Sequence, residues 1–160
     1  MLIELTRGYK AIIDDASYDI VKDHKWYIYI KHHKNGTILN NYAMTVNSKR
    51  GTIFMHRLIT SVTKGFEVDH IDGNGLNNSC SNLRICNRSQ NAMNNRKQLN
   101  TTSIFKGVYW DKRYNKWIAS IGINRKIKHL GTFAIEEDAA KAYDKAALEL
   151  FGEFARPNFK

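Results

Sequence analysis

Three features are scarce in this chain, and each scarcity excludes a class of protein. The 160 residues include two cysteines, Cys80 and Cys86, which is too few for a disulfide scaffold and typical of a reducing compartment. No run of about 18 apolar residues occurs, which excludes a transmembrane helix. The first residues, MLIELTRGYK, lack the basic and then apolar layout of a signal peptide. We therefore expect a cytoplasmic protein without a membrane partner.

Acidic residues are almost missing from the middle of the chain. Between Arg84 and Lys128, Asp111 is the one acid against eleven lysines and arginines, so this segment holds the whole net charge of +10. Aromatic residues are interleaved with these cations, namely Tyr109, Trp110, Tyr114 and Trp117. Concentrated positive charge with aromatic rings is what binding a polyanion requires, and it favours nucleic acid over an ordinary solvated basic surface.

The whole chain is 42% hydrophobic and 11% aromatic, which is sufficient for packed cores. Residues 1–55 are β-rich, with strand-like runs WYIYI, NYAMTV and TIFMH, and a short helix is predicted over 56–63. Two short strands follow at 68–71 and 83–86, and Ser89 resembles the N-cap of a helix from about 90 to 97. This order of elements predicts an α+β fold.

The second half of the chain has a clearer pattern. A polar spacer at 98–103 precedes three predicted strands, FKGVYW, KWIASIGI and IKHLGTF. Beyond them the stretch IEEDAAKAYDKAALELFGEF has acids in its first turn and apolar residues at helical spacing, and Gly152 marks its end. We expect a three-stranded antiparallel sheet packed on one helix.

The segment between these halves is rich in asparagine, with eight between Asn74 and Asn95. Asn favours turns and caps. This concentration of amides therefore indicates either a polar linker or a turn-rich site. Asp69 and the amide of Asn91 are hard oxygen ligands suited to Mg²⁺ or Mn²⁺. His70 is the neighbouring group with a pKa suited to activating water, and such a site can hydrolyse a phosphodiester.

The stretch VDHIDGNGLNNSCSNLRICNRSQNAMN resembles the HNH motif of phage and intron-encoded homing endonucleases, whose core is a ββα-metal finger. The resemblance implies that His70 is the general base and that Asn82 is a structural asparagine that orients it and ties the loop together. It implies that Asp69 and Asn91 hold one divalent metal ion, with Asn94 and Asn95 as alternatives for the helix ligand. It also implies 5′-phosphate and 3′-hydroxyl products.

Other residues of this segment have two readings each. Cys80 and Cys86 could suggest zinc, but without a further cysteine pair we expect small buried thiols. Arg57 either contacts the scissile phosphate or belongs to a scaffold helix, and the scaffold is favoured. Arg84 and Arg88 flank the site, and we expect both to bind the DNA backbone.

The C-terminal stretches FKGVYWDKRYNKWIASI, HLGTF, EEDAAKAYDKAA and the final NF resemble the AP-two/ERF DNA-binding domain of plant ethylene-response factors. The resemblance implies that the sheet enters the major groove while the helix packs behind it. We predict six DNA contacts, namely Lys106, Tyr109, Arg113, Lys116, Arg125 and Lys128. Lysines and polar groups where the plant domains carry arginines favour backbone binding over base readout.

The sequence thus predicts an HNH nuclease domain over 1–97 with its core at about 66–97, a linker over 98–103 and an AP-two/ERF-like domain over 104–160. The expected partner is double-stranded DNA and the expected cofactor one Mg²⁺ or Mn²⁺, with no small-molecule cofactor and a monomeric chain. The rival interpretation is a DNA-binding regulator with a vestigial nuclease finger. A nuclease acting on RNA is weaker, because A-form RNA closes the groove that the sheet would enter.

Overall fold

The computed structural model describes residues 1–33, 35–48, 51–97 and 101–159. Parts of two predicted turns (34 and 49–50) and of the predicted linker (98–100) lie outside the described residues. The chain divides into two compact units, Met1–Asn91 and Ala92–Lys160. Within the described ranges, the helices are too short or too polar to cross a bilayer.

The first unit consists of antiparallel sheets and short helices. Its strands are β1 (Leu2–Glu4), β2 (Lys10–Ile12), β3 (Tyr27–His32), β4 (Ile38–Asn47), β5 (Gly51–Phe54), β6 (Glu67–His70) and β7 (Leu83–Cys86). Its helices are α1 (Tyr18–Val21), α2 (Met55–Thr60) and α3 (Arg88–Met93), the last of which runs across the division between the units. β1 pairs with β2, β3 and β5 flank β4, and β6 pairs with β7. Together with the second unit this confirms the α+β fold class.

The core of the first unit brings early strands and helices together. Ala11, Ile13, Val21 and Met55 are each at most 1% exposed. The buried Trp26 ring packs in the same cluster, and its Nε1 donates to the Val21 carbonyl at 3.0 Å. Met55 was expected in a strand, but β5 ends at Phe54 and α2 begins at Met55, which places that side chain in the core.

Strands β6 and β7 and helix α3, which come after α2 in the chain, form the predicted finger. β6 lies one residue before the predicted strand 68–71, β7 matches the predicted 83–86, and Asp69 and His70 pair across to Arg84 and Leu83. The predicted N-cap Ser89 is wrong, because the helix already begins at Arg88. Asn87 caps it instead: its Oδ1 accepts from the Gln90 amide and the Gln90 Oε1 accepts from the Asn87 amide, both at 2.9 Å. This reciprocal pair is a capping box.

The second unit is a three-stranded antiparallel sheet with one long helix. Its strands are β8 (Val108–Asp111), β9 (Lys116–Ile123) and β10 (Lys126–Phe133), in the order β10-β9-β8, and its helix is α4 (Glu136–Phe151). Alternate residues of β9 pack on α4. Ala119 lies with the small side chains of Ala139 and Ala140, and Ile121 lies with the Tyr143 ring. The alanines let the helix approach the sheet closely, as the pattern predicts.

Two further details hold this unit together. Gly107, with φ +76°, lies where an added Cβ would be 1.9 Å from Cδ2 of the Tyr143 ring, so the chain needs glycine there. The buried Asp144 of α4 accepts from the backbone amides of Asn158 and Phe159 at 2.7 and 2.9 Å. The final NF motif is therefore part of the fold.

Candidate active site and DNA-binding face

His70 ends strand β6 and is 5% exposed. Its Nε2 lies 3.4 Å from Oδ1 of Asn78, a residue with no exposed surface. The other end of the Asn78 amide is occupied, because Nδ2 donates to the Leu76 carbonyl at 3.2 Å. The oxygen thus faces the imidazole, and it would accept a hydrogen carried on His70 Nε2.

Burial also fixes the charge state of this histidine. It lowers the pKa of His70 below the usual histidine range, whereas the Asn78 amide and the carboxylates of Asp72 and Asp69 act in the opposite direction. A neutral imidazole at neutral pH is the form that can accept a proton.

A cluster of rings surrounds His70. The His56 ring from α2 meets it edge to face at 5.0 Å between centroids, and Tyr42 of β4 lies at 5.9 Å. His56 also stacks on Phe54 at 5.6 Å, and its buried Nδ1 has no hydrogen-bond partner within the described ranges. Burial and the neighbouring His70 lower the pKa of His56 to about 3. Neutral rings therefore pack against the imidazole.

Asn82 ties together the loop between the two strands. Its Nδ2 donates to Oδ1 of Asp72 at 3.0 Å and to the Asn77 carbonyl at 2.8 Å, and its Oδ1 accepts from the Asp72 amide at 3.0 Å. The backbone carbonyl of Asn82 accepts from the Ile71 amide, directly after the histidine. Asn82 thus holds the loop, while the amide that meets the imidazole belongs to Asn78.

Asp69 lies on the face of β6 opposite to His70, as alternation along a strand requires, and it shares that face with its cross-strand partner Arg84. Its Oδ2 accepts from Arg84 Nε at 2.8 Å and Nη2 at 2.6 Å. The two side chains are 7% and 11% exposed, so this ion pair is shielded from solvent. Arg84, which was predicted to bind the DNA backbone, is paired with the predicted metal ligand in this structure.

Asn91 lies on the same side of β6 as Asp69. Its Nδ2 donates to Oε2 of Glu67 at 2.5 Å, and Glu67 and Asp69 are two residues apart on one strand face. With the amide nitrogen committed, the amide oxygen is the atom that a cation can take. A carboxylate and an amide oxygen on one side of the finger fit a hard divalent ion.

The two cysteines are the other side chains for which the sequence suggested a metal ion, namely zinc. In the described part of the chain, no three His, Cys, Asp or Glu side chains form a metal-holding group. Cys86 is buried as expected, and burial and the nearby Asp69 and Glu67 carboxylates raise its pKa to about 11. Cys80 is exposed, contrary to the expectation of a buried thiol. Its backbone amide donates to Oδ2 of Asp14 at 2.5 Å, which holds the residue at the surface.

Strand register defines the open face of the second sheet, the side opposite α4. Tyr109 pairs with Ile118, and this parity places nine residues on the open face, namely Tyr109, Asp111, Lys116, Ile118, Ser120, Gly122, Ile127, His129 and Thr132. Tyr109 is 43% exposed and Ile127 is 81% exposed. Arg113 and Arg125 lie in the turns at the ends of the strands, both exposed.

Three other predicted DNA-binding residues lie off the open face. Lys128 pairs with Ile121, which packs on α4, so register places Lys128 on the helix side of the sheet. Lys106 is half-buried, and its Nζ donates to the Met93 carbonyl at 2.7 Å. Burial lowers the pKa of Lys106 to about 8. Arg88 is exposed at the start of α3, as a backbone contact requires.

Sequence reasoning missed three residues of this region. Asn78 was one amide among eight, and nothing in the spacing distinguishes it from its neighbours. Glu67 escaped because the motif begins after it, although its two-residue spacing from Asp69 places both on one face. His56 was noted only as part of a scaffold helix, and its contact with His70 depends on long-range packing.

These features define a ββα finger with a buried histidine and an adjacent carboxylate, joined in sequence to a sheet-and-helix domain. Two family models match the corresponding stretches: HNH endonuclease over residues 61–93 and AP2 domain over residues 103–153. No solved structure matches the chain.

Curated relatives match over one or both parts. An uncharacterized HNH endonuclease of Acanthamoeba polyphaga mimivirus is 36% identical over 95% of this chain and 76% of its own length. Protein 3.8 of Escherichia phage T7 is 34% identical over 59% of this chain and 78% of its own length. The AP2-like ethylene-responsive transcription factor AIL7 of Arabidopsis thaliana is 45% identical over 36% of this chain and 12% of its own length. The chain belongs to the HNH endonuclease family and carries an AP2 domain.

Proposed function

We propose that this chain hydrolyses phosphodiester bonds of double-stranded DNA, with His70 as the general base and one divalent cation, Mg²⁺ or Mn²⁺, held by Asp69 and Asn91. The observation that carries the proposal is the buried imidazole of His70 with its Nε2 against the Asn78 amide oxygen. It lies within the residues matched by the HNH endonuclease model and next to a buried carboxylate.

The protein's own groups suit the proton transfer. In the tautomer with its hydrogen on Nε2, which the Asn78 amide oxygen favours, Nδ1 of His70 takes the proton from the attacking water. Asn78 and the ring of His56 limit rotation of the imidazole, and Asn82 keeps the loop between them in place. The divalent ion supplies charge stabilisation at the phosphate and at the leaving oxygen.

The open face of the AP2 domain supplies DNA affinity in this proposal. A twisted three-stranded sheet fits the major groove, and Tyr109 and Lys116 share the face opposite the helix. Arg113 and Arg125 at the turns, with Arg88 on the finger, suit phosphate contacts. Lys106 and Lys128 are left out of this set, because one ammonium donates to Met93 and the other lies on the helix side.

The test is cleavage of supercoiled plasmid DNA in Mg²⁺, in Mn²⁺ and in EDTA by the wild type and by His70→Ala. We expect metal-dependent nicking or linearisation, and a loss of about 10²- to 10⁴-fold in the variant because it lacks the base. His32→Ala, which changes an exposed histidine of β3, is the matched control and should cut like the wild type.

DNA binding by His70→Ala, measured by gel shift in EDTA, should stay within about twofold of wild type, since affinity comes from phosphate contacts elsewhere. Full cutting by a folded His70→Ala protein would exclude the proposed base. Tight, salt-sensitive gel shifts without cleavage by the wild type in either metal would instead favour a DNA-binding regulator.

A further inference from the structure

The Asp69–Arg84 pair differs from an ordinary surface ion pair. The two residues are direct cross-strand partners of β6 and β7, and two guanidinium nitrogens donate to the same carboxylate oxygen at 2.8 and 2.6 Å. Their side chains are 7% and 11% exposed, whereas Lys10 and Glu4 of another ion pair are 52% and 68% exposed. Shielded charges interact strongly because water screens them little.

A buried carboxylate needs a cation, and two candidates compete for this one. Arg84 already neutralises Asp69, so a divalent ion on the same carboxylate would lie close to a guanidinium and be repelled by it. Without Arg84, Asp69 would be a buried charge that has lost its guanidinium partner, which is strongly destabilising. A bound divalent ion would relieve that cost.

We infer that Arg84 is the counter-ion of Asp69 in the DNA-free protein, keeping the ligand ordered while weakening its binding of divalent cations. A DNA phosphodiester at the site adds negative charge that attracts both cations, so the ion and DNA bind cooperatively. By linkage, each then raises the affinity of the other by the same factor. This inference rests on the proposed function, since it takes Asp69 as a metal ligand.

The experiment compares the wild type with Arg84→Met, which retains side-chain length and removes the charge, without any DNA present. Arg88→Met is the matched control, because Arg88 is an exposed arginine at the start of α3. Two quantities are measured: the midpoint of thermal unfolding in EDTA and in Mn²⁺, and the dissociation constant of Mn²⁺ by titration calorimetry.

In EDTA, Arg84→Met should unfold at a lower temperature than the wild type, since the buried Asp69 loses the ion pair with Arg84. Mn²⁺ should raise that temperature far more in Arg84→Met than in the wild type, because a ligand that binds the folded state stabilises it. We expect its Mn²⁺ dissociation constant to fall by about tenfold, within the usual range of coupling between sites. Arg88→Met should match the wild type in both measurements.

Adding Asp69→Asn to each protein separates the ways in which this can fail. Equal Mn²⁺ affinity in the wild type and Arg84→Met, lost in both with Asp69→Asn, would overturn the counter-ion role and leave the metal site standing. Mn²⁺ binding that Asp69→Asn leaves unchanged, or no binding by any protein, would refute the proposed metal ligand itself.

Where Arg84→Met does not fold, Arg84→Gln replaces it. Its amide can still donate to the carboxylate but carries no charge, so the same tightening of Mn²⁺ binding is expected. Wild-type affinity in a folded Arg84→Gln protein would overturn the inference.

Discussion

The finger and the AP2 domain bury opposite kinds of side chain. In the finger, Asp69, His70, Asn78 and Asn82 are all at most 7% exposed. In the AP2 domain, the sheet and helix bury mainly alanine, isoleucine and aromatic residues, and most of its cations lie at the surface. Burying a polar group costs free energy unless the group is hydrogen-bonded. The proposed catalytic role explains why the finger buries so many polar side chains. The AP2 domain folds by ordinary packing and leaves its surface for binding.

The largest expected effect breaks the AP2 domain through packing alone. Gly107→Ala would place a Cβ 1.9 Å from Cδ2 of Tyr143 at a φ of +76°, so the backbone or the buried ring must move. We expect a loss of about 4 kcal/mol or more in the free energy of unfolding, measured by chemical denaturation.

DNA affinity should fall with that loss of structure. Gly122→Ala is the control, because a Cβ added at Gly122 would meet no atom within 4 Å and its φ is not positive. This variant should change stability little. Wild-type stability in Gly107→Ala would show that the close approach of Gly107 to Tyr143 does not govern the domain.

The next largest effect concerns the hydrogen bonds that hold the loop of the finger. Asn82→Ala removes two donated hydrogen bonds and one accepted bond within the loop. Since some of the partners would stay unsatisfied, we expect about 2–3 kcal/mol of destabilisation and loss of cleavage. Thermal unfolding and plasmid nicking measure the two outcomes. Asn35→Ala, at an exposed turn position between β3 and β4, is the control, and equal behaviour of the two variants would refute the bracing role.

The smallest effect concerns the surface of the AP2 domain. Lys116→Gln removes one cation of the open face, so DNA affinity should fall a few-fold and the salt slope should shrink by about 0.9. Fluorescence anisotropy with a labelled duplex at several salt concentrations gives both quantities. Lys145→Gln, on the exposed side of α4, changes the same charge and should leave the slope unchanged. Equal slopes in the two variants would remove the open face from the proposed DNA contact.

The strands and long helix of this chain could be predicted because local patterns determine them. β9 is rich in aromatic and β-branched residues, and α4 begins with acids and is followed by Gly152. The start of α3 was placed late because Asn87 and Ser89 are both good caps, and only the reciprocal bond with Gln90 distinguishes them. Local propensity does not resolve such neighbours.

The site residues follow a similar division. The motif points to Asp69, His70 and Asn82, all of which are buried in the finger. The partners of these side chains could not be predicted, because they depend on contacts between residues distant in sequence. His70 of β6 meets His56 of α2, and Lys106 meets the Met93 carbonyl. No periodicity in the chain encodes these pairs.

The short helix α3 has a consequence for anyone who exchanges domains between proteins of this kind. It carries Asn91 in the first unit, and two residues later Met93 packs with the second unit's core and accepts from Lys106. A cassette that begins at the polar stretch after residue 97 would omit Met93 and leave Lys106 without that acceptor. The transplantable unit therefore begins at Ala92, inside the helix, so a modular gene fusion has to carry part of the nuclease motif with the DNA-binding module.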